Sequence, residues 1–257
     1  MTALRIATAA FAAFVAAPLA WLAYAAFLPA DALLQADLLT FGFTLENLAA
    51  LPGTGLFRAL GISLAASGLT VAVQLAFGLA AAYAMRNGAP LRAVVLLLLA
   101  LPTELLLVPL YRLLQVLSLL DTFAALIAPF LASPLVTFLL LQAVRRVPWE
   151  MIEAARLDGA RERTILLRIV APTLRPELLA AGVLAFAAHW NLVLYPRVTT
   201  PESLWTVQVV LADLLRTRPF DWGVLGAAAL VASLPIVIVY AVFEKRILAT
   251  FEAGFRS

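Results

Sequence analysis

Long apolar blocks alternate with short polar interruptions along the whole chain. The blocks fall at about 6–28, 57–85, 91–114, 123–143, 177–196 and 222–243. Each is near the roughly 20 residues that a helix needs to cross a bilayer. None shows the every-second-residue alternation of a membrane strand, which excludes a β-barrel. The pattern predicts an all-α polytopic membrane protein with six transmembrane helices. The first block also admits a cleaved signal peptide, but its apolar length favours a retained span.

The interruptions differ in character. The stretch 29–56 carries Asp31, Asp37 and Glu46, turn signals at Pro52-Gly53 and Gly55, and no basic residue. Asn87-Gly88-Ala89-Pro90 reads as a tight turn. A short polar break spans 115–122. The stretch 197–220 holds Arg197, Glu202, Asp213, Arg216 and Arg218. Pro102 and Pro109 in the third block, and Pro129 and Pro134 in the fourth, are expected to interrupt the helical ladder. Such interruptions are tolerated where protein or a water-filled cavity satisfies the backbone. No linker is evident, so one membrane domain over 1–257 is expected.

The most polar interruption is 144–176. Pro148 suits a helix start, Glu150 and Glu153 favour its first turns, and Asp158-Gly159 offers a stop. A second short helix is expected from about Ala160 to Val170, with Pro172 and Pro176 setting the entry into the fifth span. Ala154 and Ala155 let another surface approach closely. Ile152, Leu157, Ile165, Leu166 and Ile169 offer sticky faces, and Arg156, Arg161, Arg163 and Arg168 can pair with acidic groups or lipid phosphates. Resting on anionic lipid and docking a protein partner are both open on these grounds.

Composition agrees with the pattern: 64% hydrophobic and 13% charged residues, with a mean hydropathy of +1.01. Charge adds orientation. Six spans place both termini and 144–176 on one side. That side holds thirteen of the eighteen basic residues: Arg5, Arg86, Arg92, Arg145, Arg146, Arg156, Arg161, Arg163, Arg168, Arg175, Lys245, Arg246 and Arg256. Arg58, Arg112, Arg197, Arg216 and Arg218 fall opposite. Positive charge marks the cytoplasmic face. The basic balance therefore needs no nucleic-acid partner. There are no cysteines, and His189 is the one histidine, a poor basis for a metal site or a catalytic triad. The one lysine, Lys245, is followed by Arg246, so no phosphate-binding loop is present.

The run from Glu153 to Pro172 resembles the cytoplasmic signature of permease subunits of ABC importers. That signature reads E-A-A, three residues, G, nine residues, I-x-L-P. Glu153, Ala154, Ala155, Gly159, Ile169 and Pro172 match, and Ala171 replaces the leucine. Further stretches resemble the carbohydrate-uptake branch, and in particular the maltose-type second permease. They are Phe43-Thr44-Leu45-Glu46-Asn47, Ala82-Tyr83-Ala84-Met85-Arg86, Pro109-Leu110-Tyr111, Trp190-Asn191 through Tyr195-Pro196, and the closing segment from Glu244. Val193 stands where phenylalanine is usual. Gly61, two before Ser63, departs from a common asparagine.

The resemblance implies the type I importer permease fold and alternating access in the inner membrane. This chain would supply half of the pathway for a sugar or sugar derivative. Its expected partners are a second homologous permease, two ATPase subunits that bind ATP and Mg²⁺, an extracytoplasmic solute-binding protein, and membrane lipid. Glu153, Ala154, Ala155, Asp158, Gly159, Ile169 and Pro172 would couple to the ATPase, and this chain itself would bind no cofactor and catalyse no reaction. Glu104, Trp190, Asn191 and Tyr195 are candidates for the solute pathway. Glu104 stands midway along the third block, where a carboxylate in hydrocarbon costs several kcal/mol unless it is used or paired. It leaves a polyamine, a phosphate ester or a metal chelate open as the solute. An ATP-independent transporter is the more distant alternative, and an integral membrane enzyme lacks the acid, base or metal ligands it needs.

Overall fold

The computed structural model describes residues 2–29, 42–216 and 221–255, with side chains left out of account at 2–4, 103 and 244–255. The expectations at Asp31, Asp37, Arg218 and Arg256 lie outside the described residues, as do the side chains of Glu244, Lys245 and Arg246. Every regular element among the described residues is helical. In chain order the α-helices are α1 (Thr2–Ala25), α2 (Glu46–Ala50), α3 (Leu56–Arg86), α4 (Arg92–Leu99), α5 (Leu107–Val116) and α6 (Pro134–Arg146). There follow α7 (Trp149–Leu157), α8 (Glu162–Thr173), α9 (Arg175–Trp190), α10 (Leu194–Thr199), α11 (Val207–Leu214) and α12 (Trp222–Phe255). Within α8, Leu166–Val170 form a π-helical turn.

Three helices are long and apolar enough to cross a membrane unbroken: Arg5–Ala25, Leu56–Arg86 and Trp222–Phe243. These are the first, second and sixth predicted spans. The others are broken. The third predicted span stops at Ala100–Pro102 and resumes through a 3₁₀ turn, Thr103–Leu106, into α5. The fourth is the pair of 3₁₀ turns in Phe123–Phe130 joined to α6 with a 42° bend. The fifth corrects the expected 177–196: its helix ends at Trp190, and the chain resumes at Leu194. An 81° bend separates α8 from α9.

The prolines sort by position. Pro134 is the first residue of α6, capped by the Ser133 hydroxyl, which accepts from the Val136 amide at 3.3 Å. Pro109 lies in the first turn of α5. Both start helices rather than break them, because a first-turn amide has no intrahelical partner to lose. Pro102 and Pro129 lie at the breaks.

The chain forms two compact units, Met1–Ile62 with Trp205–Pro235, and Ser63–Leu204 with Ile236–Ser257. In the first, the end of α1 is clasped. Asn47 donates to the carbonyls of Ala26 at 3.1 Å and Leu28 at 2.8 Å. The Thr44 amide donates to the Phe27 carbonyl, and the Phe27 and Phe43 rings stack at 5.4 Å. The Phe43–Asn47 motif is thus a cap on the first span. Two glycines of α12 make room for it: a Cβ on Gly223 would lie 2.4 Å from the Asn47 amide, and one on Gly226 would lie 3.2 Å from the Ala26 backbone.

In the second unit α3, α6 and α9 pack around a core of Leu79, Val136, Leu140, Leu141, Val144 and Ala181. Small residues set the crossings, as is usual between membrane helices. A Cβ on Gly78 would meet Val136 at 3.0 Å, and one on Gly182 would meet Leu75 at 3.3 Å.

The broken fourth span leaves carbonyls without helical partners, and side chains from other elements answer them. Gln74 of α3 donates to Phe130 O at 2.6 Å. His189 of α9 bonds Leu126 O through Nε2 at 3.0 Å, and Tyr195 of α10 donates to Ala125 O at 2.8 Å. A carbonyl can only accept, so Nε2 carries the proton and Nδ1 accepts from the Ser67 hydroxyl at 2.9 Å. The Phe130 ring packs edge-on to both His189 and Tyr195.

Candidate functional site

The segment 144–176 forms a helix, a glycine turn and a second helix. α7 begins after Pro148, with Glu150 in its first turn. It ends at a left-handed glycine, Gly159, with φ of 78°. The Gly159 amide donates to Arg156 O at 2.9 Å and the Ala160 amide to Ala155 O at 3.0 Å. That bond pair is the Schellman motif, which satisfies the last carbonyls and turns the chain sharply.

The signature residues divide by exposure. Glu153, Ala154, Asp158, Gly159 and Pro172 are exposed, while Ala155 and Ile169 are half-buried against the core. Leu157 is 89% exposed, whereas Ile152 and Ile165 are fully buried. Ile152 and Ile165 are therefore anchors rather than sticky faces, a correction to the sequence reading. The outward surface includes Glu150, Glu153, Ala154, Leu157, Asp158 and Gly159, an exposed leucine among small and acidic residues, with Trp149 exposed at its start.

Arg156 pairs with an acidic group, one of the two kinds of partner open to it, and is the centre of a network. Its Nε donates to Glu162 Oε1 at 2.8 Å and its Nη2 to Glu162 Oε2 at 3.3 Å. Nη2 also reaches Asn87 Oδ1 at 3.1 Å. The Tyr83 hydroxyl donates to Glu162 Oε2 at 2.5 Å. Arg86 donates to the carbonyls of Val144 and Val147, where α6 ends. The guanidinium groups of Arg86 and Arg156 lie 5.4 Å and 5.2 Å from the centroid of the Trp149 ring.

The paired Arg156 guanidinium, then the Tyr83 hydroxyl, hold the Glu162 carboxyl below its ordinary value of 4.5. Glu162 in turn raises Arg156. A depressed carboxylate contributes stability above its unfolded pKa and loses it as pH falls through the lower folded value. The network is therefore intact throughout the neutral range and yields only to acid below about pH 4.5.

The sequence carried only part of this signal. Tyr83 and Arg86 belong to the quoted Ala82–Arg86 run without a role. Asn87 reads only as part of a turn, and nothing in the local pattern marks Glu162 or Trp149; an arginine and a glutamate flanking a glycine stop are the available hint.

The pathway candidates are dispersed. Glu104 is exposed on the 3₁₀ turn at the break between α4 and α5. Asn191 is exposed just after α9, and its side chain donates to Ala187 O at 2.8 Å. Trp190 is 1% exposed and stacks on Phe186 at 5.3 Å. Tyr195 is buried in the span-four joint. Within this chain neither ring offers an open face for stacking.

Broken apolar spans packed on an apolar core, with an exposed helix, glycine turn and helix fastened to the same core, fit an integral membrane permease. The chain belongs to the family of binding-protein-dependent transport system inner membrane components, whose model matches residues 74–249. It is 32% identical over 161 residues to the arabinooligosaccharides transport system permease protein AraQ of Halalkalibacterium halodurans, covering 62% of this chain and 58% of that protein. It is 30% identical over 211 residues to the trehalose transport system permease protein SugB of Mycobacterium tuberculosis, covering 78% and 76%. The Bacillus subtilis AraQ match covers 64% of that protein, so the chain spans about three fifths of the two AraQ relatives. A crystal structure of a bacterial ABC transporter involved in the import of the acidic polysaccharide alginate contains a chain of the same fold. Its TM-score is 0.82 at 20% identity, over 95% of both chains.

Proposed function

We propose that this chain is a transmembrane subunit of an ATP-driven importer for a sugar or sugar derivative. The observation that carries this reading is the exposed α7 surface ending at Gly159, mounted on a loop that is itself anchored to the membrane core. A surface of that kind suits a partner that pushes on it. The family supports the transport role, and the arabinooligosaccharide and trehalose relatives support sugars as the solute class.

In this reading the chain is one membrane domain with both termini and 144–176 in the cytoplasm, as the arginine asymmetry indicates. Two ATPase subunits bind ATP and Mg²⁺; each engages one permease of a homologous pair through Glu153, Ala154, Ala155, Asp158, Gly159, Ile169 and Pro172. A solute-binding protein loads the outer mouth. This chain hydrolyses nothing. Glu104 and Asn191 face the pathway, and Trp190 and Tyr195 support its wall from behind. The carboxylate of Glu104, exposed at the break in the third span, favours cationic solutes as the second reading.

The test is reconstitution of the complete complex in vesicles, with uptake of radiolabelled trehalose, lactose and putrescine compared. ATP-dependent uptake of a saccharide is expected. Gly159→Val places a β-branched residue at φ 78°, so insertion should persist while ATPase association and uptake fall by about tenfold or more. Normal uptake in that variant, or wild-type uptake without ATP, removes the reading.

A further inference from the structure

We propose that Tyr83, Arg156 and Glu162 form a positioning latch that makes the 144–176 loop and the end of α3 move as one piece. The proposal rests on the coupling role given to α7 above. It goes beyond it by naming where a push on α7 is delivered: to the second span.

The loop has three places where a push would otherwise be absorbed. One is the Gly159 turn between α7 and α8. Another is the π-helical turn Leu166–Val170, a local departure from the α-helical ladder. The third is the 81° bend between α8 and α9. The latch bridges the first and bypasses the other two. Arg156 lies before the Gly159 turn and Glu162 after it, so their two-pronged ion pair closes the turn. Tyr83 then bonds the same carboxylate from α3. Asn87, just beyond α3, takes the other side of the Arg156 guanidinium. Trp149, at the start of α7, lies against Arg86 as well as Arg156. Both ends of α7 are thus fastened to the last turn of α3.

Tyr83 is buried and Arg156 half-buried, while Trp149 and Glu162 are exposed beside the outward surface of α7. They are positioning residues: they set how α7 is held, not what it touches. The paired carboxylate and guanidinium form charge-assisted bonds, whose planar geometry fixes direction as well as distance.

The chain has no cysteine, so spin labels go where they are wanted. Labels at Ala84→Cys on α3 and Arg163→Cys on α8, both exposed positions, report the separation of the two pieces. The complete complex in lipid nanodiscs is measured nucleotide-free and trapped with ATP and vanadate. One narrow distance, the same in both states, is expected. Tyr83→Phe and Glu162→Ala should each about double the width of the distribution, as expected for a locally released segment. The double variant should be no broader than Glu162→Ala alone, because Tyr83 acts through the Glu162 carboxylate.

A wild-type distance that shifts between the two nucleotide states overturns the latch. So do variants with wild-type widths. Tyr83→Phe removes a single oxygen, which keeps the test decisive if Glu162→Ala fails to fold. If no ATPase co-purifies, the importer reading fails instead. The widths measured on the isolated chain in nanodiscs still decide the latch: narrow in wild type and broad in Tyr83→Phe upholds it, and equal widths overturn it.

Discussion

Single positions in this chain carry more than their type suggests. Gly223 is one of many small residues in α12, yet it is the one beneath the Asn47 amide. A methyl group there forces Asn47 away from the Ala26 and Leu28 carbonyls. Leaving buried carbonyls bare costs about 1–3 kcal/mol each, so Gly223→Ala should destabilise by about 2–4 kcal/mol. Thermal unfolding in detergent measures this. Asn47→Ala should cost a similar amount, and the two together less than their sum, because they break the same cap. The Phe43–Asn47 run was legible as a motif, but its purpose was not. The cap partners lie about twenty residues back and the enforcing glycine much later, and no local pattern links them. Arg156 teaches the same lesson in reverse. Its charge was legible, but its partners Glu162, Asn87 and Trp149 depend on how the Gly159 turn folds the chain back. The exposure of Leu157 against the burial of Ile152 likewise depends on which face of α7 meets the core.

At the scale of elements, hydropathy located the spans well and their continuity poorly. α1, α3 and α12 match their predicted blocks to within a few residues at the membrane ends. The third, fourth and fifth blocks are equally apolar but broken, because apolarity is blind to where backbone bonds are made. The fourth span shows what a break requires: donors from elsewhere for freed carbonyls, here those of Ala125, Leu126 and Phe130. Tyr195 is one such donor, which gives a physical reason for a residue that the sequence suggested for the solute pathway. Tyr195→Phe keeps the ring against Phe130 and deletes only the bond to Ala125 O. It should lower stability by about 1–2 kcal/mol while leaving the apparent affinity for solute unchanged. Unfolding curves and uptake titrations on the same preparation separate the two. A loss of affinity with unchanged stability would restore Tyr195 to the pathway itself. α3 is different again. Its 31 residues give a length of about 46 Å, beyond the roughly 30 Å of hydrocarbon. The helix must therefore tilt or project, and its last turn is the one that carries Tyr83 and Arg86.

Across the whole molecule, the answered carbonyls of the fourth span bear on biosynthesis. Their donors come from Gln74, made earlier, and from His189 and Tyr195, made later. When the fourth span first reaches the membrane, only one of its three partners exists. In hydrocarbon a bare carbonyl costs several kcal/mol, so the segment has no stable solitary resting place in lipid. It must wait at the insertion machinery, or beside it, until α9 and α10 have been synthesised. In a nascent chain truncated before residue 189, a single cysteine introduced within 123–146 should therefore react with a membrane-impermeant maleimide, whereas extension past Thr199 should protect it. The break that shapes the finished permease also dictates when its fourth span can be released into the bilayer.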